Sequence, residues 1–412
     1  MIRYFRYTGF CFLILLTAWS CIDPYVPKLS GFKPVLVVDG LITNANRSYL
    51  VKLSESVQVK DSTPFKISDA TVWITDDAGV RTNLANQGNG QYKTDSLTFT
   101  GEVGKKYQLH IIKADGSEYA SDSCKMLPVP DIDTVYFLKD TRLYDNQTII
   151  RPGISIYIDS KEPPEDQYYL RWTFDETWRY KIPYPTKYNY LNDSTILLLP
   201  ASQVKEFCYR GSSNTEVLTS EIQPGTTGSL KGIPMTFIAS ELSSRLLIRY
   251  SIIIHQYSIS HQEYKYWNNL KTVGETEGDL FGSQPFAIVA NVRNVRDPNE
   301  MVLGYFQVSA VSEKRIFIDY MKDIMPLNLP TYRYQCKLIS MSPQDYQYAS
   351  SWVKLMTWDK LYDMFTQNGY VFVAPYYDPV KNNLQKLMFS TPECANCELT
   401  GTSGRPYFWT DK

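Results

Sequence analysis

Lys106-Tyr-Gln-Leu-His-Ile-Ile112, followed by Asp115-Gly116 and then Glu118-Tyr-Ala-Ser121, has the pattern of a β-hairpin. Two short strand-like runs flank an Asp-Gly dipeptide, which favours the tight turn of a β-hairpin because glycine accepts a positive φ. The segments around it are of the same kind. Val35-Leu-Val-Val-Asp-Gly-Leu-Ile42 is apolar and β-branched. Between Tyr49 and Val59, the residues Tyr49, Val51, Leu53, Val57 and Val59 share one face, and Lys52, Ser54, Ser56 and Gln58 share the other. Ala70-Thr-Val-Trp-Ile-Thr75 runs into the turn Asp76-Asp77-Ala78-Gly79, and Gly90-Gln-Tyr-Lys93 opens another strand. Short strand signals so closely spaced, with no helix between them, predict an immunoglobulin-like antiparallel β-sandwich over residues 35–130. Pro128-Val-Pro130 then reads as a hinge or linker.

Upstream lies a different kind of segment. Arg3 and Arg6 precede an apolar run, Phe10 to Trp19, which ends at Ser20-Cys21. A basic start, a short apolar run and a small residue before a cysteine make a bacterial lipoprotein signal peptide over residues 1–20, with Cys21 as the lipidated N-terminus. Ala18 and Trp19 depart from the usual residues before such a cysteine, so an ordinary secretory signal or an uncleaved anchor is the alternative. Residues 21–34 read as an extended tether. Asp23 resembles the acidic residues of surface-export signals in Bacteroidota lipoproteins, which favours the cell surface over the periplasmic face.

Downstream, residues 131–412 read as a larger β-rich domain. Ile132 to Phe137, Gly153 to Ile158, Tyr168 to Phe174, Leu246 to Ile254, Met301 to Val311 and Arg315 to Asp319 are strand candidates. Helices are expected near 260–272 and 342–367. Ser260-His-Gln-Glu263 is a capping box, with Tyr264, Trp267 and Leu270 at helical spacing and expected to face the core. Ser342-Pro-Gln-Asp345 supplies another cap, and Trp358, Leu361, Tyr362 and Phe365 mark an apolar face that stops at Asn368-Gly369. Trp178, Tyr180, Tyr184, Tyr188 and Tyr190 sit around Pro183 and Pro185, which break regular structure. This run reads either as a projecting contact surface for a partner or ligand, or as a cap on the second core.

The chain has 412 residues, enough for two or three domains, and a net charge of −1, which gives no electrostatic case for nucleic acid. It carries 32 Tyr and 8 Trp. Such rings suit sugar- or protein-binding surfaces, and tyrosine equally suits strands. Five of the seven cysteines lie beyond the signal and Cys21. Outside the cytoplasm disulfides are their default use. Cys394 and Cys397 are expected to join Cys208 and Cys336 in two bridges, with Cys124 left free and three connectivities open. Cys394-Ala-Asn-Cys397 also has metal-ligand spacing, but His110, His255 and His261 are scattered, so no metal site is read. Phosphate-binding, dinucleotide, nucleophile-elbow and zinc-protease motifs do not occur in the sequence, and no cofactor is read. The pairs Glu162/Glu165 and Asp359/Asp363 are the acid pairs a glycosidase would need, although any chain of this length contains such pairs.

The second half carries a distinctive set of motifs. Arg249-Tyr-Ser-Ile-Ile-Ile-His-Gln-Tyr-Ser-Ile-Ser260 leads into Glu263-Tyr-Lys-Tyr-Trp267. Gly278-Asp-Leu-Phe281, Gln284-Pro285, Asn291-Val-Arg-Asn294, Val302-Leu-Gly-Tyr-Phe306 and Lys314-Arg-Ile-Phe317 follow, and the chain closes with Cys394-Ala-Asn-Cys397, Gly401-Thr402 and Pro406-Tyr-Phe-Trp409. With the cysteine at position 21 and Val38-Asp-Gly-Leu-Ile42, these resemble the Bacteroidota lipoprotein family catalogued as domain of unknown function 4249. The resemblance implies an accessory lipoprotein of the outer membrane, with a TonB-dependent β-barrel receptor as partner. It supplies no catalytic residue. A non-enzymatic binding protein that captures a small-molecule, glycan or peptide ligand is the reading favoured. The alternative is a surface hydrolase of unrecognised type acting on glycans or peptides.

Lipidation has a direct consequence. Cys21→Ala should release the protein from the membrane fraction, as read by cell fractionation, because an acyl chain supplies most of the attachment of a lipid-anchored protein. A variant that stays as firmly bound as the wild type would contradict it.

Overall fold

Alternating side chains build the first core. The computed structural model describes residues 33–57, 63–144, 149–163, 169–222, 228–241, 244–276, 288–325, 327, 336–345 and 356–411. The expected signal peptide, Cys21, Asp23 and the tether up to residue 32 lie outside the described residues. One sheet runs in the order Leu303–Val308, Leu36–Ile42, Leu50–Glu55, Gln91–Lys93, Ala85–Gly88, with Phe65–Lys66 attached to Leu50–Glu55. The other runs Val292–Asn294, Glu118–Ser121, Lys106–Ile112, Thr71–Asp76, Arg81–Asn83, with Cys124–Lys125 attached to Lys106–Ile112. Val38, Val51, Leu53 and Tyr92 of the first sheet meet Val72, Ile74, Leu109 and Ile111 of the second in one core. The hairpin that opened the sequence reading is present, with Gly116 at φ +82.

Two strands of this sandwich come from far along the chain. Leu303–Val308 pairs in parallel with Leu36–Ile42, in the register Val37 to Leu303 through Ile42 to Val308. Val292–Asn294 pairs antiparallel with Glu118–Ser121. The sandwich expected over 35–130 is therefore discontinuous and is completed by residues near 290–310. Asn291, fully buried, joins the two additions: its Nδ2 donates to the Phe306 carbonyl at 2.8 Å and its Oδ1 accepts from the Phe306 N–H at 2.9 Å. Gly304, at φ +87, makes the close approach feasible, since a Cβ there would stand 1.9 Å from the Val38 carbonyl oxygen.

The chain crosses into a second sandwich at Pro128-Val-Pro130, and this segment is no free hinge. Ser258 donates its hydroxyl to the Pro128 carbonyl, and Gln256 donates to the Pro130 carbonyl at 2.7 Å. The buried Gln256 also accepts from the Trp172 indole at 2.8 Å and reaches Ser160 at 2.9 Å, so each of its polar atoms is satisfied. The second sandwich sets the sheet Ile132–Tyr144, Ile149–Ser160, Leu230–Ala239 against the sheet Phe207–Ser213, Tyr169–Lys181, Arg249–Ser258, Val311–Asp319, with Leu218–Glu221 also on Tyr169–Lys181. Ile154, Ile156, Leu170, Trp172, Ile252 and Ile254 form its core.

A third unit packs helix α2 (Trp358–Gln367) and the hairpin Tyr188–Asn192/Thr195–Leu198 on the sheet Ile339–Met341, Leu384–Ser390, Val371–Tyr377. Leu361, Phe365, Phe372, Leu387 and Phe389 are its core, and Gly369 ends the helix at φ +83. Ser342 and Asp345 form the expected reciprocal capping box, at 3.0 and 3.1 Å. The single helix expected over 342–367 resolves into that short start and α2, with 346–355 outside the described residues. The tail is stapled twice, by Cys208–Cys397 and Cys336–Cys394. The Cys394-Ala-Asn-Cys397 pair does not close on itself: it ties the second sandwich to the third unit, and Cys124 stays free.

Gly304→Ala should cost about 2–4 kcal/mol of folding stability, through a forbidden φ and the contact with Val38. Chemical denaturation of variant and wild type measures it. A loss under about 0.5 kcal/mol, within the range of neutral surface changes, would show that the parallel ladder does not depend on this glycine.

Candidate functional site

A cleft of about 310 Å³ opens where the two sandwiches meet, beneath helix α1 (His261–Thr276). The first sandwich supplies its floor from the parallel pair, Val37 to Leu41 beside Gly304, Tyr305 and Gln307. Gly40 faces the core of the first sandwich, where a Cβ would stand 3.1 Å from the Phe306 ring, and Gly304 lies against the Val38 backbone. The second sandwich supplies Arg171, Thr173 and Tyr257, and α1 supplies Tyr266, Trp267 and Leu270. The rings of Tyr266 and Tyr305 lie 4.7 Å apart, and those of Tyr266 and Trp267 meet edge to face at 5.2 Å.

Arg171 is the one cation among the described lining residues. Its guanidinium stacks on the Trp267 ring at 3.8 Å, and Tyr257 stands at 5.8 Å. One Nη donates to Gln307 at 3.0 Å, and Gln307 in turn donates to Ser309 at 3.1 Å. The Nε is buried without a hydrogen-bond partner among the described residues. Burial lowers the pKa of Arg171 from its ordinary value.

Behind the cleft wall sits a carboxyl group that sequence reasoning placed elsewhere. The capping box of α1 is half formed: Ser260 accepts from the Glu263 N–H at 3.2 Å. The Glu263 side chain turns inward and accepts from the Trp267 indole at 3.1 Å. Glu263 is 3 % exposed, and burial pushes its pKa up to about 8. The buried residues of α1 are thus Glu263 and Tyr266, while Trp267 and Leu270 are half-buried on the cleft and Tyr264 packs on Tyr169 at 4.8 Å. Cys124 accepts from Asn291 at 3.4 Å, and burial raises its thiol to about 12, far from nucleophilic use.

Of the two readings of the aromatic run, a contact surface or a cap on the core, the structure favours the second, since the run is mostly buried. Trp178 and Tyr180 continue the inward alternation of strand Tyr169–Lys181 and are buried, with the Tyr180 hydroxyl 2.8 Å from that of Thr400. Tyr190 is buried in the third unit, stacked on Tyr362 at 4.2 Å, and donates to Asp359 at 2.6 Å. Tyr184 and Tyr188 are half-buried, and the Tyr184 N–H donates to the Cys394 carbonyl. Pro183 and Pro185 end the strand at Lys181 rather than project a loop of exposed rings. The acid pairs serve other ends. Asp359 accepts from Tyr190, Glu162 accepts from the Gly228 N–H at 3.0 Å, and Glu165 lies outside the described residues.

His255 is held between two carboxylates, with Nδ1 2.7 Å from Glu313 and Nε2 3.1 Å from Asp175. Burial lowers its pKa, but the hydrogen bonds to Asp175 and Glu313 outweigh it, so the net shift is upward. Ser213 donates to Asp175 at 2.5 Å instead of to the imidazole, so this is not the order of a nucleophilic triad. Arg47 of the first sandwich reaches Glu313 at 3.1 Å, which makes the cluster a second strap across the junction.

A family model described as Domain of unknown function (DUF4249) matches residues 22–315. That span takes in both sandwiches up to the strand Val311–Asp319 and every residue lining the cleft. No curated protein matches the chain.

Glu263 carries a pH signature. A carboxyl whose folded-state pKa is raised favours folding at low pH and loses that contribution as pH climbs from the unfolded to the folded value. Between its ordinary 4.5 and about 8, the wild type should therefore lose stability relative to Glu263→Gln, by roughly 1.4 kcal/mol per pH unit. Denaturation curves of both proteins across that window check this. Parallel pH profiles would show that Glu263 titrates normally.

Proposed function

The chain belongs to the DUF4249 family, and from that premise we propose that it is a non-enzymatic outer-membrane lipoprotein that captures a ligand for a TonB-dependent β-barrel transporter. The observation that carries the capture role is the cleft. Aromatic rings and a stacked guanidinium converge on about 310 Å³ of space, and a concave, largely apolar site with a few placed polar groups holds ligands. Its walls come from two sandwiches locked to each other, so the site is formed before the ligand arrives. The membrane part of the reading rests on the apolar run ending at Ser20-Cys21, and the transporter part on the sequence resemblance. A lipid at Cys21 and the short stretch up to Leu36 would keep the first sandwich close to the bilayer, within reach of a barrel's outer rim.

The test is recovery of partners from native membranes after mild detergent extraction of the tagged full chain. A β-barrel receptor of the outer membrane should be enriched over an untagged control. Its absence, with the lipoprotein itself efficiently recovered, would overturn the transporter role.

A further inference from the structure

We infer that the cleft takes a ligand bearing a single carboxylate on a flat aromatic ring. The inference rests on the reading of the cleft as a capture site and names what is captured. Three features carry it: the size of the cavity, its aromatic walls, and one guanidinium that makes no direct contact with a carboxylate among the described residues.

The cavity, at about 310 Å³, stands at the small end of ligand sites, which run from roughly 300 to 1000 Å³. Tyr257, Tyr266, Trp267 and Tyr305 present rings to it, and rings offer a flat guest offset or edge-on stacking with little entropy to lose. The polar handle is Arg171. A half-buried guanidinium in such surroundings normally finds a carboxylate, because an unneutralised charge away from water is costly. Here its hydrogen-bond partner is the neutral Gln307. The nearby acids are otherwise engaged. Asp39, at the exposed mouth, pairs with Lys52 at 3.2 Å, and Glu263 accepts from the Trp267 indole. Burial pushes the Glu263 pKa up, which weakens its attraction for the arginine, and its carboxyl makes no direct contact with the guanidinium among the described residues.

Stacking on Trp267 fixes the plane of the guanidinium. A carboxylate is planar and accepts along the edge of an arginine fork. One positive charge matches one negative charge. A phosphate dianion would bring a second charge into a site with no further cation among the described lining residues, so a monocarboxylate is the better match.

Binding of indole-3-acetate, benzoate, indole-3-acetamide and inorganic phosphate to the full chain, by calorimetry at neutral pH and physiological salt, decides it. The two carboxylates should bind, with the amide at least about tenfold weaker than indole-3-acetate, as expected for loss of a charge-assisted contact. Arg171→Gln should abolish the difference between acid and amide. The comparison within the wild type stands even if that variant fails to fold. Equal binding of acid and amide would overturn the carboxylate assignment and leave the capture reading in place. Phosphate binding more tightly than either acid would also overturn it. No binding of either carboxylate at millimolar concentration would overturn it as well, and the transporter role would still be decided separately by recovery of the barrel.

Discussion

The parallel ladder between Leu36–Ile42 and Leu303–Val308 is the constraint on which the rest of the structure depends. It brings a late strand into an early sheet, and the chain then passes from Val308 almost directly into Val311–Asp319 of the second sandwich. The outward crossing runs beside it, since Leu127 bridges Ser309 just before Pro128. Two crossings side by side, clamped by Gln256 and Ser258, leave the sandwiches little freedom to hinge. Parallel pairing needs a long connection, and here that connection holds the other strands of the first sandwich and all of the second except Val311–Asp319.

This arrangement determines what the cleft is. Its floor is the ladder, and its walls are Arg171, Tyr257 and α1. Neither sandwich holds the site alone. The network behind it works in series: Ser260 caps α1, Glu263 and Trp267 are hydrogen-bonded, Trp267 carries Arg171, and Gln307 ties Arg171 back to the ladder. The disulfides act elsewhere. Through Cys394 and Cys397 they anchor a tail of two four-residue helices, too short to persist without tertiary support.

What could be read from the sequence was what is local. The Asp115-Gly116 hairpin, the inward face of Tyr49, Val51 and Leu53, the stop at Asn368-Gly369 and the set of four bridged cysteines follow from turn chemistry, period-two alternation and cysteine use. The discontinuity of the first sandwich did not show, because nothing in Val302-Leu-Gly-Tyr-Phe306 says which distant strand it will pair with. The glycine in that run was the available hint, since a glycine inside a strand marks close backbone approach. The cleft was illegible for a related reason. Arg171 occupies an ordinary polar position between Leu170 and Trp172, and only the tertiary fold lays Trp267 over it. Glu263 looked like half of a capping box, and burial turned it inward. The prolines near Trp178 left a projecting loop and a core cap both open, and the strand that runs on to Lys181 folds Trp178 and Tyr180 inside.

Residue-resolved amide hydrogen exchange on the native protein tests the junction most directly. The account predicts that Leu36–Ile42, Leu303–Val308 and Arg249–Ser258 share one high protection level and exchange together through a common opening, since the ladder binds both sandwiches into one cooperative unit. Rapid local exchange of Leu303–Val308, with Leu36–Ile42 still protected by Leu50–Glu55, would contradict it. The return strand would then be an ornament on an independent first sandwich, and the cleft would have no fixed floor.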